Sequence, residues 1–255
     1  MINGRIVVIT DCYDVAYNEI RATIINELKN SEIGDLVYIE PVVRVENFSL
    51  INASFILRLL AESYSEGTTF LVIVNPLKER PARVFGKTKI KNFHFIGANT
   101  GIFDWFLNDF GVDSLYELND PGFLPFGGKY VHAPAAAKIS TGANFNDLGK
   151  EFPIEKLKKL SFEDGVVVHV DNFGLIKFVY SKKDFLENEE FLIKIGSVSI
   201  EAVFSQRMMS KDTGQWVVYP SSSLDLMELG KVRCDGAREL GIKIGDKINI
   251  IKKPV

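Results

Sequence analysis

Thr10-Asp11-Cys12-Tyr13-Asp14 follows an almost uninterrupted apolar run, Ile6-Val7-Val8-Ile9. A run of that kind reads as a buried parallel strand, and open α/β sheets bind ligands just beyond the carboxyl ends of their strands. Asp11 has two readings there. It caps the turn or helix that follows, or it accepts hydrogen bonds from the two hydroxyls of a ribose. Two further polar loops follow predicted strands, Asn75-Pro76 to Arg83 and Asn99-Thr100-Gly101, so that one polar site at a sheet edge is expected. Arg80 and Arg83 could hold a carboxylate, although Lys78-Glu79-Arg80 is more often a solvated face. His132, beside Ala133-Pro134, reads as a packed helix residue rather than a base. Asp171-Asn172-Phe173-Gly174 has the composition of a tight hairpin turn, and Ser221-Ser222-Ser223 that of a loop. The sequence has no G-x-G-x-x-G, Walker loop, H-E-x-x-H or G-x-S-x-G.

The elements that would position these residues fall into two groups. In the first half strands and helices alternate. Ile20, Ile24 and Leu28 lie at helical spacing, as do Leu50, Ala53, Leu57 and Leu60 after Ser49. Leu36-Val37-Tyr38-Ile39 and Thr69 to Val74 read as strands. Val84-Phe85 and Phe93-His94-Phe95-Ile96 read as arms of a β-ribbon, and a short aromatic helix follows through Phe103, Phe106 and Leu107. His132 to Ile139 is Ala-rich and helical, with Pro134 in its first turn. After a charged, Pro-containing stretch come short strands separated by turns, the pattern of a small barrel or sandwich. The fold class expected is α/β: an N-terminal α/β domain with a mainly parallel sheet over residues 1–150, a linker over 151–164 and a smaller β-barrel domain over 165–255.

Composition bounds the chemistry. The chain has 255 residues, 46% apolar and 25% charged, with a net charge of −3. That balance carries no general signal for nucleic acid or an anionic membrane. Two cysteines, Cys12 and Cys234, make no disulfide framework, and the three histidines show no ligand spacing, so no metal site is expected. With no signal-peptide pattern and no apolar run of membrane-spanning length, a cytoplasmic protein is expected. Nineteen Phe serve mostly as core, and some could wall a pocket for a flat ligand.

Taken in order, the motifs resemble the SAM hydroxide adenosyltransferases, relatives of the fluorinase and chlorinase enzymes. The family's T-D-F-G resembles Thr10-Asp11-Cys12-Tyr13. Its D-P-G-V-G resembles Asn75-Pro76-Leu77-Lys78-Glu79, and its P-D-N-G resembles Ala98-Asn99-Thr100-Gly101. F-H-G-R-D-x-F-A-P-x-A-A is similar to Phe126 through Ala137, and D-x-F-G-N to Asp171 through Leu175. N-S-x-G-x-L-E-I-A is similar to Pro220 through Met227, one residue shorter, and the closing G-x-A-x-x-L-G-x-x-x-G-D to Gly236 through Asp246.

The resemblance implies a two-domain fold and a homotrimer, with the site between the first domain of one subunit and the second of its neighbour. It implies no separate cofactor, and S-adenosyl-L-methionine (SAM) or adenosine as the small-molecule ligand. The implied reaction converts SAM and water to adenosine and L-methionine by attack at the ribose 5′ carbon. Asp11 would bind the ribose hydroxyls, with Tyr13 and Asn99 in the flanking loops. Phe48 falls where the halogenases carry a wall Trp, and Phe126 would line the reacting carbon. Asp171 and Ser221, with Ser222 beside it, would hold the methionine amine and carboxylate, and Phe173 and Phe204 would face the adenine.

The chain departs from the pattern where the family prepares its water. Asn75 replaces an Asp and cannot serve as a carboxylate base, and Gly127 replaces a His. Arg80 and Arg83 are loose counterparts of an Arg. Leu175 replaces an Asn, and Gly128 takes the place of a halide-binding Ser, leaving only its backbone N–H. Displacement at a sulfonium carbon needs little acid–base help, because methionine leaves as a neutral thioether. Alignment and desolvation can supply several kcal/mol. The alternative is a non-catalytic homologue that binds SAM or adenosine.

Overall fold

The computed structural model describes residues 4–74, 80–119, 121–181 and 185–253. The chain divides into two compact units, Met1–Leu160 and Ser161–Val255.

The first unit is built on the apolar run, which forms β1 (Gly4–Thr10) with Ile6, Val7, Val8 and Ile9 all fully buried. Burial on both faces explains why the run does not alternate. Ile6 and Val8 face a core that includes Ile20, Ile24 and Leu28 of α1 (Val15–Leu28). Val7 and Ile9 face a second core with Ala53 and Leu57. The chain crosses from α1 to β2 (Val37–Ile39) and β3 (Val43–Arg44), which pair parallel with β1 on one side. It then passes through α2 (Leu50–Ser63) to β4 (Thr69–Ile73), parallel to β1 on the other side. The strand order therefore reverses at β1, and a crevice is expected at the carboxyl ends of β1 and β4.

Beyond β4 the sheet changes character. β5 (Arg83–Lys87) and β6 (His94–Ala98) form the expected ribbon, with β6 parallel to β4 and antiparallel to β5. α3 (Asp104–Phe110) carries the aromatic face, in which Phe106 packs on Phe70, Phe93 and Phe95. β7 (Ser114–Leu118) follows. A turn of π-helix, Gly128–His132, runs into α4 (Ala133–Ser140), with Pro134 in its first turn. The short α5 (Phe145–Leu148) leads into β8 (Gly149–Glu151), so the far flank β5-β7-β8 is antiparallel. Sequence periodicity does not reveal β3, β7 or β8, because each is too short or too mixed to show a period. Residues 152–160 hold to this unit. Phe152 N–H donates to Leu115 O at 2.9 Å, and Leu160 N–H to Asp104 Oδ2 at 3.1 Å.

The second unit is one curled sheet. β9 (Val167–Val170), β10 (Ile176–Phe178), β11 (Glu190–Ile195), β12 (Val198–Phe204), β13 (Trp216–Pro220) and β14 (Met227–Lys231) precede the short α6 (Gly236–Leu240) and β15 (Ile248–Lys252). The order is β15-β11-β12-β13-β14-β10-β9. A bridge between Val166 and Lys247 brings the two ends together, supported by Val167 N–H to Asp246 O at 2.9 Å. Closure removes exposed strand edges. Phe178, Phe191, Ile193, Val218 and Leu229 fill the interior.

Candidate functional site

The helix-capping task near Asp11 belongs to Asp14. Its carboxylate accepts the N–H of Ala16 at 2.9 Å at the start of α1. Thr10 Oγ1 holds the turn by accepting Cys12 N–H at 2.9 Å. Asp11 is thereby released from the cap, and its Oδ2 accepts the N–H of Phe48 at 3.0 Å across 37 residues of sequence. Phe48 has φ of 60°, a costly conformation for a bulky residue, and its ring is largely exposed. A strained backbone that delivers an N–H to a carboxylate fixes that carboxylate at the strand end. Cys12 Sγ lies 3.5 Å from Asp11 Oδ1. Burial, and then the Asp11 charge, push its thiol above the usual range, which disfavours a thiolate.

Register aligns the rest of this edge. Arg44 and Ile73 both pair with Thr10, and Arg83 pairs with Ala98 at the end of β6. The guanidinium of Arg44 stacks 3.6 Å from the centroid of Tyr13, and that of Arg80 stacks 4.2 Å from the centroid of Phe123. Arg83 lies against Gly127, where an added Cβ would meet its Nη2 at 3.4 Å. At Gly128 a Cβ would sit 3.0 Å from Ile73 and 3.2 Å from the half-buried ring of Phe126. The small residue at 128 thus lets the π-turn approach the end of β4, while Arg83 lies at ordinary contact distance from position 127. Asn75 lies outside the described residues.

His132, at the end of the π-turn, is buried, and among the described residues neither ring nitrogen has a hydrogen-bond partner. Burial, and then the Arg83 charge, lower its pKa to about 4, so the ring is neutral at pH 7. Asn99 is occupied elsewhere. Its amide donates to Lys156 O at 3.0 Å and accepts Lys158 N–H at 2.9 Å, pinning the 152–160 segment. Its side chain acts as a structural clamp on that segment. The same segment and α3 line a cavity of about 420 Å³ with Phe103, Leu107 and Ile154. Asp11, Arg80 and Arg83 are not among its lining residues.

In the second unit Asp171 Oδ1 accepts Phe173 N–H and Leu175 N–H, both at 2.9 Å, and Gly174 has φ of 78° as the turn requires. The ring of Phe173 is left exposed. Phe204 belongs to the barrel core. It is 2% exposed and its ring packs on Phe185 at 5.2 Å, because alternation along β12 turns it into the barrel core. Ser221 donates to Glu228 Oε1 at 2.7 Å and accepts Ser223 N–H at 3.0 Å, while Ser222 is exposed.

Ser221 belongs to a network that sequence reasoning missed. His169 pairs with Lys177, Lys177 with Glu228, and Glu228 with Tyr219, forming one row across four strands. Lys177 forms an ion pair with Glu228, which also accepts from Tyr219 and Ser221. Burial works to raise the Glu228 carboxyl, but the three donors hold it below the usual range. Burial, and then the bond to Glu228, push the Tyr219 phenol up. The available signal was a lone charge within each of two apolar strands, Ile176-Lys177-Phe178 and Met227-Glu228-Leu229, with opposite signs.

Among the described residues no group of His, Cys, Asp and Glu is arranged to hold a metal, and no helix is long and apolar enough to cross a membrane. Residues 6–149 match the sequence model of the SAM hydroxide adenosyltransferase N-terminal domain. An uncharacterized conserved protein from Thermotoga maritima shares the fold with a TM-score of 0.79 at 22% identity, over 96% of this chain and 99% of that one. A conserved hypothetical protein from Thermus thermophilus does so with a TM-score of 0.73 at 19% identity, over 98% and 100%.

Proposed function

The chain belongs to the SAM hydroxide adenosyltransferase family, and on that premise we propose that it binds SAM at the carboxyl edge of β1 and β4 and hydrolyses it. The observation that carries this reading is Asp11. Its carboxylate is anchored by Phe48 N–H at a strand end, while a different residue caps the helix. Its second oxygen would accept from the ribose hydroxyls. Water oxygen attacks the 5′ carbon, the carbon–sulfur bond breaks, methionine departs with the electron pair as a neutral thioether, and one proton passes to solvent. Such a step asks for alignment and exclusion of bulk water more than for a strong base. Gly127 supplies no base, so a slow enzyme is expected. Asp171 and Ser221 are proposed for the methionine end, which requires Ser221 to exchange its bond to Glu228 for one to the ligand.

Incubation of purified protein with SAM, read by chromatography, should yield adenosine and methionine in equal amounts. No product above background at high protein concentration refutes turnover. A second reading, binding without turnover, is favoured by Gly127, which carries no side chain that could act as a base. Binding heat with SAM or adenosine but no product selects the second reading, and absence of heat with both removes each. The homotrimer is part of the same proposal, to be read by native mass spectrometry.

A further inference from the structure

The loop from Phe123 to Gly127 touches two guanidinium groups. The Arg80 guanidinium carbon lies over the Phe123 ring, 4.2 Å from its centroid, and Arg83 lies against Gly127. An arginine stacked on a ring spends its face and leaves its in-plane N–H donors pointing outward, the geometry that grips a phosphate or carboxylate with paired hydrogen bonds. Among the described residues Arg80 has neither an ion-pair nor a hydrogen-bond partner, so its donors are uncommitted there. Two other arginines of the first unit differ. Arg5 and Arg58 each hold a carboxylate as well as an aromatic ring. Arg83 opens β5 at the same sheet edge that Asp11 occupies on β1, with β4 and β6 between. Three strand spacings, about 14 Å, separate the two backbones. With the backbones that far apart, a carboxylate on one side and a guanidinium on the other can take the two ends of a ribose 5′-phosphate.

We propose that the Arg80–Arg83 pair makes the 5′ end of this cleft an anion site, so that it takes nucleoside 5′-phosphates in competition with SAM. The inference rests on the nucleoside reading of Asp11 and adds a ligand class to it. Asp11 holds the diol, and the two arginines hold the phosphate, whose charge they neutralise. Arg44 is not part of the pair, since it lies on the opposite side of β1, stacked on Tyr13.

The experiment is calorimetry with adenosine, adenosine 5′-phosphate and SAM at low and moderate salt. The wild-type protein should bind adenosine 5′-phosphate at least roughly tenfold more tightly than adenosine, and the ratio should fall as salt rises. In the Arg80→Ala/Arg83→Ala variant the ratio should drop to about one, with adenosine affinity changed less than about threefold. Arg80→Lys, which keeps the charge and loses the fork, should give an intermediate ratio and guards against a misfolded double variant. A wild-type ratio near one, or a ratio that survives the double substitution, overturns the proposal. If adenosine and SAM bind while adenosine 5′-phosphate does not, this inference fails alone. If none of the three binds, the nucleoside reading fails with it.

Discussion

His132 should make the first unit more acid-sensitive, and removing its ring should remove that share of the sensitivity. The ring is buried with both nitrogens unpartnered among the described residues, and burial and Arg83 hold its pKa at about 4 against 6.5 for an open imidazole. The folded state therefore takes up its proton later than the unfolded state does. Stability from this group is present above the unfolded pKa and is lost as pH falls from about 6.5 towards 4. Linkage with these two values puts the loss between about pH 7.5 and pH 5 at about 2 kcal/mol. His132→Phe should remove that increment. At about pH 7.5 it should be neutral or stabilising by up to about 1 kcal/mol, because two orphaned polar atoms disappear. The assay is urea unfolding followed by fluorescence. Trp105 lies in the first unit and Trp216 in the second, so a Trp216→Phe background isolates the relevant signal. His94, also lowered to about 4, by burial and then by Lys87, stays in both proteins and cancels in the difference. His132→Leu controls for ring volume. A stability difference between variant and parent that is the same at both pH values would refute the reasoning.

Asp11 and Asp14 should separate cleanly. Asp14→Ala should cost about 1 kcal/mol of stability through the lost cap and leave adenosine affinity unchanged. Asp11→Ala should instead weaken adenosine binding roughly 10- to 100-fold, the scale of hydrogen bonds to a charged acceptor, in calorimetric titration. Lys177→Met leaves Glu228 buried without its cation and should destabilise the second unit by about 3 kcal/mol in denaturant unfolding. Lys177→Met/Glu228→Gln should recover part of that loss. Gly127→His should gain no activity towards SAM, because Asn75 still offers no carboxylate base, as a coupled assay for adenosine will show.

Much of the frame was readable from residue order. Ile6 to Ile9 announced a strand buried on both faces, and Ile20, Ile24 and Leu28 announced the helix that covers one of them. The barrel's strands were readable from short apolar runs between turns, because a curled, mostly antiparallel sheet repeats one local pattern. β3, β7 and β8 were hidden, because such short strands of mixed character carry no period and exist only through their partners. The burial of Phe204 was hidden for a related reason. Whether a strand residue faces inward depends on register, and a shift of one residue inverts it.

Asp11 shows where the two kinds of information part. The sequence by itself determined that a carboxylate stands at the end of a buried parallel strand, because hydrophobic burial and strand geometry are local in the chain. It also determined the family, through motifs kept in order. It did not decide between a helix cap and a ligand-facing acid, since both need the same residue at the same position. Only the tertiary structure decided that the cap falls to Asp14, and it brought Phe48 N–H to Asp11 across 37 residues. The same holds for the Lys177–Glu228 row and for the two arginines beneath one loop. Their partners come from distant segments, and a chain's fold, rather than its order, sets which charges meet.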